Sequence, residues 1–459
     1  MDSRSGSDLP PSLTRLNAIA LVAGTIIGAS IFVQPSEIAQ HLSRPVDIML
    51  VWLACGVLTL FGALVCAELA SAFPRTGGLY IFLRETFSPL AGFLWGWAMF
   101  WVMHSGIIAI IAMVFARYAT QVVPVGDTGA RAIAVIVILG LSALNYVGVR
   151  AGSRVQTVLT CAKILAIGAI VVVGFALMAT GRVSPFDGAQ GAPSTSREAP
   201  VVGSDPVRGA MSGVPVSDFL LAMVAGLFAY GGWHMVTYTA GETVMPARVI
   251  PVALMIGVAI VTACYVALNL LYLAILPLDT VRSSTRIAAD AADAAVGRGG
   301  AAMMAGLVML STFGALTGIV LAGPRVYYSM AKDGLTFRWL GYVHPTYRTP
   351  SRAIVAQAVW ASLLAATGVY RQLFIRVIYT EWLFFALMAA GVFALRRRPD
   401  YRPVYRMWGY PAVPLVFIAA SLVIVINQIV RDPIDALTGL GIVAIGAPAY
   451  YLWVAHAHH

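Results

Sequence analysis

The chain has 459 residues, of which 59% are hydrophobic and 11% are charged. Soluble domains average about 45–50% apolar and about 25% charged residues, so the composition excludes an ordinary soluble protein and indicates a membrane protein. A net charge of +10 would suit nucleic-acid binding by a soluble domain. In a membrane protein it reports orientation instead, and we expect no nucleic-acid partner.

Apolar runs of about 20 residues, the length that spans a bilayer, recur along the chain. They predict an all-α integral membrane protein with about twelve transmembrane helices, and the first run is too long and too glycine-rich for a cleavable signal peptide. The runs lie at 16–39, 47–72, 89–116, 131–149, 155–179, 217–240, 252–277, 301–322, 353–370, 374–395, 411–430 and 434–455.

Basic residues concentrate in the connections at 148–155, 325–352 and 396–406. This bias predicts that those connections and both termini are cytoplasmic. The longest connection, 180–216, is rich in Gly, Pro and Ser, and we predict an irregular extracellular loop there.

The first apolar run contains the stretch "LVAGTIIGASIFV", which places Gly24, Thr25, Gly28 and Ser30 at mid-depth. Irregular backbone is tolerated at that depth only where it lines a cavity or is buried in protein. We therefore predict an interrupted helix, while close packing of helices is the alternative use of such glycines.

A matching stretch, "LFAYGGWHMVTYTAGETVMP", begins at Leu227 and contains Gly231 and Gly232. Each interruption starts a set of five predicted helices, which is typical of an inverted-repeat transporter. We assign 1–459 to a single transmembrane domain, with a first repeat at 15–179 (helices 1–5) and a second at 217–395 (helices 6–10). Helices 11 and 12 follow at 411–455.

An unwound segment exposes N–H groups at the start of one half-helix and carbonyl oxygens at the end of the other. The N–H groups carry partial positive charge and suit a carboxylate, and the carbonyl oxygens suit an ammonium group. Two interruptions together therefore predict a site for a zwitterion such as an amino acid.

Five stretches resemble motifs of one family: "GTIIGASIF" (24–32), "ELASAFPRTGGLYIFLRETF" (68–87), "FAYGGWHMVTYTAGETVMPARVIP" (228–251), "RVYYSMAKDG" (325–334) and "RPVYRMWGYPAVP" (402–414). The chain thereby resembles the amino acid–polyamine–organocation (APC) superfamily, and within it the L-type amino-acid transporters and their bacterial relatives. The resemblance implies a fold with discontinuous helices 1 and 6, and secondary transport of amino acids by alternating access.

The resemblance also implies residue roles: the substrate carboxylate meets the amides of Gly28, Ala29 and Ser30, and Phe228 closes over the substrate as a gate. Two departures, Ala29 for the usual serine and Ser30 for the following glycine, would adjust substrate preference. The expected amino-group acceptors are the carbonyls of Ile26, Phe228 and Gly231. The full expected substrate-binding set is Thr25, Ile26, Gly28, Ala29, Ser30, Phe228, Ala229, Gly231, Gly232, Trp233, His234 and His104.

Charged and imidazole side chains inside the spans are candidates for function. Lys163 either extends to the membrane surface or contacts the unwound part of helix 1. The resemblance implies the second alternative, in which the lysine occupies the place that sodium has in sodium-coupled relatives. It therefore implies sodium-independent transport. We expect Glu242 to cap the helix or pair near Arg248 in an inner gate, which makes Lys163, Phe228, Glu242 and Arg248 the coupling or gating set. His234 stands where the L-type motif usually has asparagine, and either His234 or Glu381 could contact substrate or serve packing.

The resulting prediction is a permease or exchanger of amino acids, chiefly neutral L-amino acids, with membrane lipids as its surroundings. The alternatives are a polyamine or cationic amino-acid transporter, with Glu381 as counter-charge, and a non-transporting amino-acid sensor. No nucleophile–base set, cofactor motif or metal-ligand spacing is evident, so we expect no enzyme activity, no cofactor and no metal. The loop 121–131 has no cysteine, so the disulfide-linked accessory subunit of eukaryotic relatives is not expected.

Overall fold

A computed structural model of the protein describes residues 9–120, 125–181, 215–284, 286–297, 299–368 and 370–457. Regular structure in these ranges is helical, with one isolated β-bridge between Leu13 and Thr243. The predicted loop 180–216 falls mostly outside the described residues.

Nineteen α-helices follow one another along the described chain. They are α1 (Arg15–Ile26), α2 (Gln34–His41), α3 (Pro45–Ala72), α4 (Leu79–Thr86), α5 (Pro89–Ala98), α6 (His104–Ala119), α7 (Asp127–Val147), α8 (Val149–Ala179), α9 (Val216–Ala229), α10 (Pro246–Ile275), α11 (Leu278–Ser283), α12 (Ile287–Val296), α13 (Gly300–Ala322), α14 (Pro324–Lys332), α15 (Ser351–Thr367), α16 (Tyr370–Leu395), α17 (Ala412–Arg431), α18 (Pro433–Ala444) and α19 (Gly446–Ala457).

Ten helical stretches in the described ranges are long and apolar enough to cross a membrane. Two of the twelve predicted runs are absent from that set for visible reasons. The run 16–39 is divided, because α1 has only 12 residues and ends at Ile26. The run 353–370 corresponds to α15, which has 17 residues.

Helix α1 occupies the centre of the molecule, where it packs against α8, α10 and α13. Its residues from Ala20 to Ile26 are all buried, and this part of the helix carries apolar or small residues on every side. A helix that is apolar all round is expected where protein or lipid surrounds it completely. The interruption that follows α1 is therefore enclosed by other helices.

Candidate functional site

The backbone leaves the α-helix directly after Ile26. Residues 27–29 form bends, a 3₁₀ turn follows at Ser30–Phe32, and α2 begins at Gln34. In the part of the chain that the structure describes, the N–H groups of Gly28, Ala29 and Ser30 donate to no acceptor. Three neighbouring N–H groups ahead of a helical segment form a binding site suited to an anion.

Side chains from other helices bind the carbonyl oxygens that this unwinding releases. Lys163 Nζ donates to Gly24 O at 2.8 Å and to Ile27 O at 2.6 Å, and the side chain is completely buried. Ser311 Oγ lies 3.2 Å from Ile27 O and 3.1 Å from Gly28 O. The unwound backbone is thus held open by donors, as buried carbonyl groups require.

The second interruption separates α9 from a 3₁₀ helix at Trp233–Glu242. Gly232 adopts φ = +98°, a left-handed conformation that favours glycine. A Cβ atom on Gly232 would lie 3.3 Å from Thr25 O. Thr25 Oγ1 donates to Leu21 O in its own helix at 2.7 Å and lies 3.2 Å from Gly232 O. The two interruptions therefore contact each other at Thr25 and Gly232.

Tyr265 on α10 bridges the ends of the two half-helices. Its hydroxyl lies 3.0 Å from Ile26 O and 3.0 Å from Ala229 O. Because a hydroxyl has one hydrogen, it donates to one of these carbonyls at a time. Phe228 O accepts from Gly231 N–H at 3.2 Å. Because a carbonyl oxygen has two lone pairs, Ile26 O and Phe228 O can each accept a second hydrogen bond.

Parts of both interruptions are accessible to solvent. A Cβ atom on Gly28 would come no closer than 3.6 Å to another residue, and one on Gly231 would meet only Phe228 O at 3.3 Å. Gly231 is exposed, whereas Ala29, Ser30 and Phe228 are half-buried. By contrast, a Cβ atom on Gly24 would lie 2.1 Å from Gln156 Nε2, so Gly24 serves close packing, whereas the surroundings of Gly28 can accommodate a methyl group.

The remaining side chains of the expected substrate-binding set are buried among neighbouring residues. Trp233 is buried, with its ring centroid 5.2 Å from that of Phe385. His234 is also buried, and its Nε2 lies 3.5 Å from Glu381 Oε1. His104 lies on α6 and its Nε2 is 2.9 Å from Ile319 O, so that nitrogen carries the hydrogen.

The expected pairing of Glu242 with Arg248 is wrong. Glu242 pairs with Arg325 at the start of α14, at 2.7 Å and 3.1 Å, and both side chains are buried. Arg248 is exposed. The reason is geometric, because Thr243 is extended and Met245 has φ = +48°, so the chain turns between Glu242 and the beginning of α10.

The sequence analysis missed three residues that organise the site: Tyr265, Ser311 and Arg325. Each is a polar or charged side chain within a long apolar helical stretch, where such groups usually have a partner, and that signal could have singled them out. In the described ranges, no group of three or more His, Cys, Asp or Glu side chains is placed to hold a metal ion.

Comparison with known proteins agrees with this geometry. The amino acid permease family matches residues 13–445. The serine/threonine exchanger SteT of Bacillus subtilis is 30% identical over 440 residues, covering 95% of this chain and 95% of the relative. The human b(0,+)-type amino acid transporter 1 is 29% identical, covering 93% and 84%, and the human cystine/glutamate transporter is 29% identical, covering 97% and 86%. The chain is a transporter and not an enzyme, and it belongs to the amino acid permease family of the APC superfamily.

Proposed function

We propose that this chain transports neutral L-amino acids independently of sodium, by alternating access around the paired interruptions. One observation supports the proposal: unpaired N–H groups at Gly28–Ser30 and the carbonyl ends of α1 and α9 belong to two interruptions that contact each other and are partly accessible to solvent. Such an arrangement can bind the carboxylate and the ammonium of an amino acid without a charged protein partner.

Sodium independence is supported by the position of Lys163. Its ammonium group lies against the carbonyls of Gly24, Ile27 and, at 3.4 Å, Ser311. Carbonyl oxygens are the ligands that hard cations prefer, and three acceptors satisfy all three ammonium hydrogens. A fixed positive charge in this position would take the place of a coupling sodium ion.

A neutral substrate is supported by the small, uncharged residues at the two interruptions, Gly28, Ala29, Ser30 and Gly231. The relative from Bacillus subtilis is named a serine/threonine exchanger, and a related rabbit protein is named a large neutral amino acids transporter subunit. Half-buried Phe228 stands at the end of α9 and would act as the gate over the substrate.

For the whole chain we propose twelve spans, arranged as inverted repeats at 15–179 and 217–395 with two further helices at 411–455. Each repeat begins with an interrupted helix, at Ile26 and at Ala229. The basic connections favour cytoplasmic termini in a bacterial inner membrane. The absence of cysteine from the loop 121–131 favours function without a disulfide-linked accessory subunit.

The proposal is tested with purified protein in liposomes. Vesicles are preloaded with unlabelled amino acids, and uptake of a panel of labelled neutral, acidic and basic amino acids is measured in sodium and in choline buffer. We expect saturable exchange of neutral L-amino acids at the same rate in both buffers.

Three results would contradict the proposal. A strict requirement for sodium would remove the role assigned to Lys163. Uptake restricted to polyamines or basic amino acids would identify a cationic-substrate carrier, and saturable binding with no uptake of any compound would identify a sensor.

A further inference from the structure

A polar pair beside the candidate site has no role in the function proposed above. It consists of His234, on the 3₁₀ helix three residues after Gly231, and Glu381 on α16. His234 Nε2 lies 3.5 Å from Glu381 Oε1, with side-chain exposures of 1% and 16%. The carboxylate thus retains limited access to solvent, while the imidazole has almost none.

An aromatic shell encloses the imidazole of His234. The rings of Phe385, Tyr238, Trp233 and Trp95 have centroids 5.0, 5.5, 5.5 and 5.9 Å from its own. Neither ring nitrogen of His234 has a hydrogen-bond partner among the described residues, and the hydroxyl of Tyr238 is also unpartnered there. Buried polar groups normally have hydrogen-bond partners, so these atoms indicate a binding site for a ligand that is not part of the protein.

Two titratable groups interact with Glu381, namely His234 and Tyr238, and both lie on the 3₁₀ helix. Further titratable groups lie beside these two: His104 on α6 beside His234, and Tyr327 on α14 and Cys66 on α3 beside Tyr238. His104 already donates its Nε2 hydrogen to Ile319 O.

No lysine or arginine in the described ranges lies within ion-pair distance of Glu381. A carboxylate without a cation at membrane depth is unfavourable by several kcal/mol. Binding a proton removes that penalty.

We propose that Glu381 and His234 together bind one transported proton, so that the protein is a proton–amino acid symporter. This inference rests on the proposed function. In the deprotonated state the pair is a carboxylate and a neutral imidazole. A hydronium ion reaches Glu381, whose side chain is 16% exposed, and breaks one O–H bond to leave as water. The proton forms an O–H bond on Glu381 or an N–H bond on His234 and is shared between Oε1 and Nε2.

The same proton returns to a water molecule once Glu381 is accessible from the opposite side of the membrane, so no covalent bond other than this O–H or N–H bond changes. Because His234 belongs to the interrupted element and Glu381 to α16, the shared proton favours the arrangement that brings those two elements together. Differential binding of this kind is what shifts a conformational equilibrium.

The test uses full-length protein in liposomes containing a pH-sensitive dye, with the membrane potential clamped at zero. An inward gradient of one pH unit should drive about tenfold accumulation of the labelled amino acid for one proton per substrate, with acidification of the lumen. Glu381→Gln, which resembles the protonated acid, should lose accumulation and acidification but retain exchange at equal pH. His234→Asn should lose accumulation, and Asp127→Asn, which removes an exposed carboxylate at the start of α7, should behave as wild type.

Several outcomes would overturn the inference. Wild-type exchange without gradient-driven accumulation would exclude proton coupling and leave the proposed function intact, whereas absence of all exchange would contradict the proposed function itself. Loss of lysine and arginine exchange alone in Glu381→Gln would assign the carboxylate to cationic substrates. Should Glu381→Gln fail to fold, Glu381→Asp must shift the pH profile of uptake, and an unchanged profile would reject the role of this carboxylate.

Discussion

Lys163 supplies two of its three ammonium hydrogens to a stretch of backbone that has lost its own donors. Replacing it with alanine leaves Gly24 O and Ile27 O without their 2.8 Å and 2.6 Å partners. Each unsatisfied buried carbonyl costs about 1–3 kcal/mol. We expect Lys163→Ala to lower amino-acid exchange by about tenfold or more, measured in liposomes at equal protein density.

Arg154 provides the control for that experiment, since it is an exposed cation on the same helix, α8. Arg154→Ala should leave exchange near the wild-type rate. Full exchange activity in Lys163→Ala would show that the ammonium group does not hold the interruption open, and the argument for sodium independence would then fail with it.

Glycines in and near the first interruption differ in what surrounds them, and alanine substitution separates the two uses. Gly24→Ala would place Cβ 2.1 Å from Gln156 Nε2 and 2.3 Å from Thr160 Oγ1. Overpacking of this kind costs about 1–3 kcal/mol, so we expect a lower unfolding temperature in detergent. Gly28→Ala meets no atom of another residue within 3.6 Å and should keep the wild-type unfolding temperature while weakening substrate binding.

Gly140→Ala is the matched control, because nothing lies within 4 Å of its Cβ position and the site is exposed on α7. It should change neither stability nor binding. Unaltered substrate affinity in Gly28→Ala would mean that the substrate carboxylate does not lie beside Gly28.

At the scale of elements, the buried ion pair between Glu242 and Arg325 joins the 3₁₀ helix to α14. Arg325 also donates to Leu321 O at 2.5 Å, so its guanidinium group hydrogen-bonds to buried groups of the protein. Removing one partner of a buried pair leaves an uncompensated charge, which is far more destabilising than removing both. The pair therefore fixes the end of the interrupted element against a neighbouring helix.

A double-mutant cycle tests this connection. We expect Glu242→Gln and Arg325→Met each to lower the apparent unfolding temperature strongly, and the double variant to recover part of the loss, with a coupling energy of about 1–3 kcal/mol. Arg248→Met replaces the partner that the sequence suggested and should show no coupling to Glu242→Gln. Strictly additive effects of Glu242→Gln and Arg325→Met would mean that the pair contributes nothing beyond its separate residues.

At the scale of the whole molecule, local patterns in the sequence predicted more than long-range pairing did. Both interruptions were predictable, because glycine and hydroxyl residues inside an apolar run are locally visible. The partner of Glu242 was not, since Arg325 lies 83 residues further along the chain while Arg248 was the nearer cation. Tyr265 was hidden in an apolar run, and its contacts with α1 and α9 exist only because three helices meet there.

The two interrupted segments are also joined by backbone hydrogen bonds away from the site, between the chain that precedes α1 and the chain that follows the 3₁₀ helix. This connection affects how the molecule can move. Leu13 N donates to Glu242 O at 2.8 Å, and Val244 N donates to Leu13 O at 2.9 Å, so the chain ahead of α1 pairs in parallel with the chain that follows the 3₁₀ helix. Because Thr25 also packs against Gly232, the two elements contact each other at two levels. We expect them to move as one body during alternating access.

A disulfide across this bridge tests the expectation. In a background without the four native cysteines, Leu13→Cys and Thr243→Cys replace the two residues of the β-bridge. Paired strands lie about 4.8 Å apart, a separation that a disulfide can span. Because the two segments travel together, the oxidised and reduced forms of this variant should exchange amino acids at the same rate, measured in the same liposomes before and after reduction. If oxidation stopped exchange while substrate binding persisted, the two segments would have to separate during transport, and each interrupted helix would move independently against the rest of the protein.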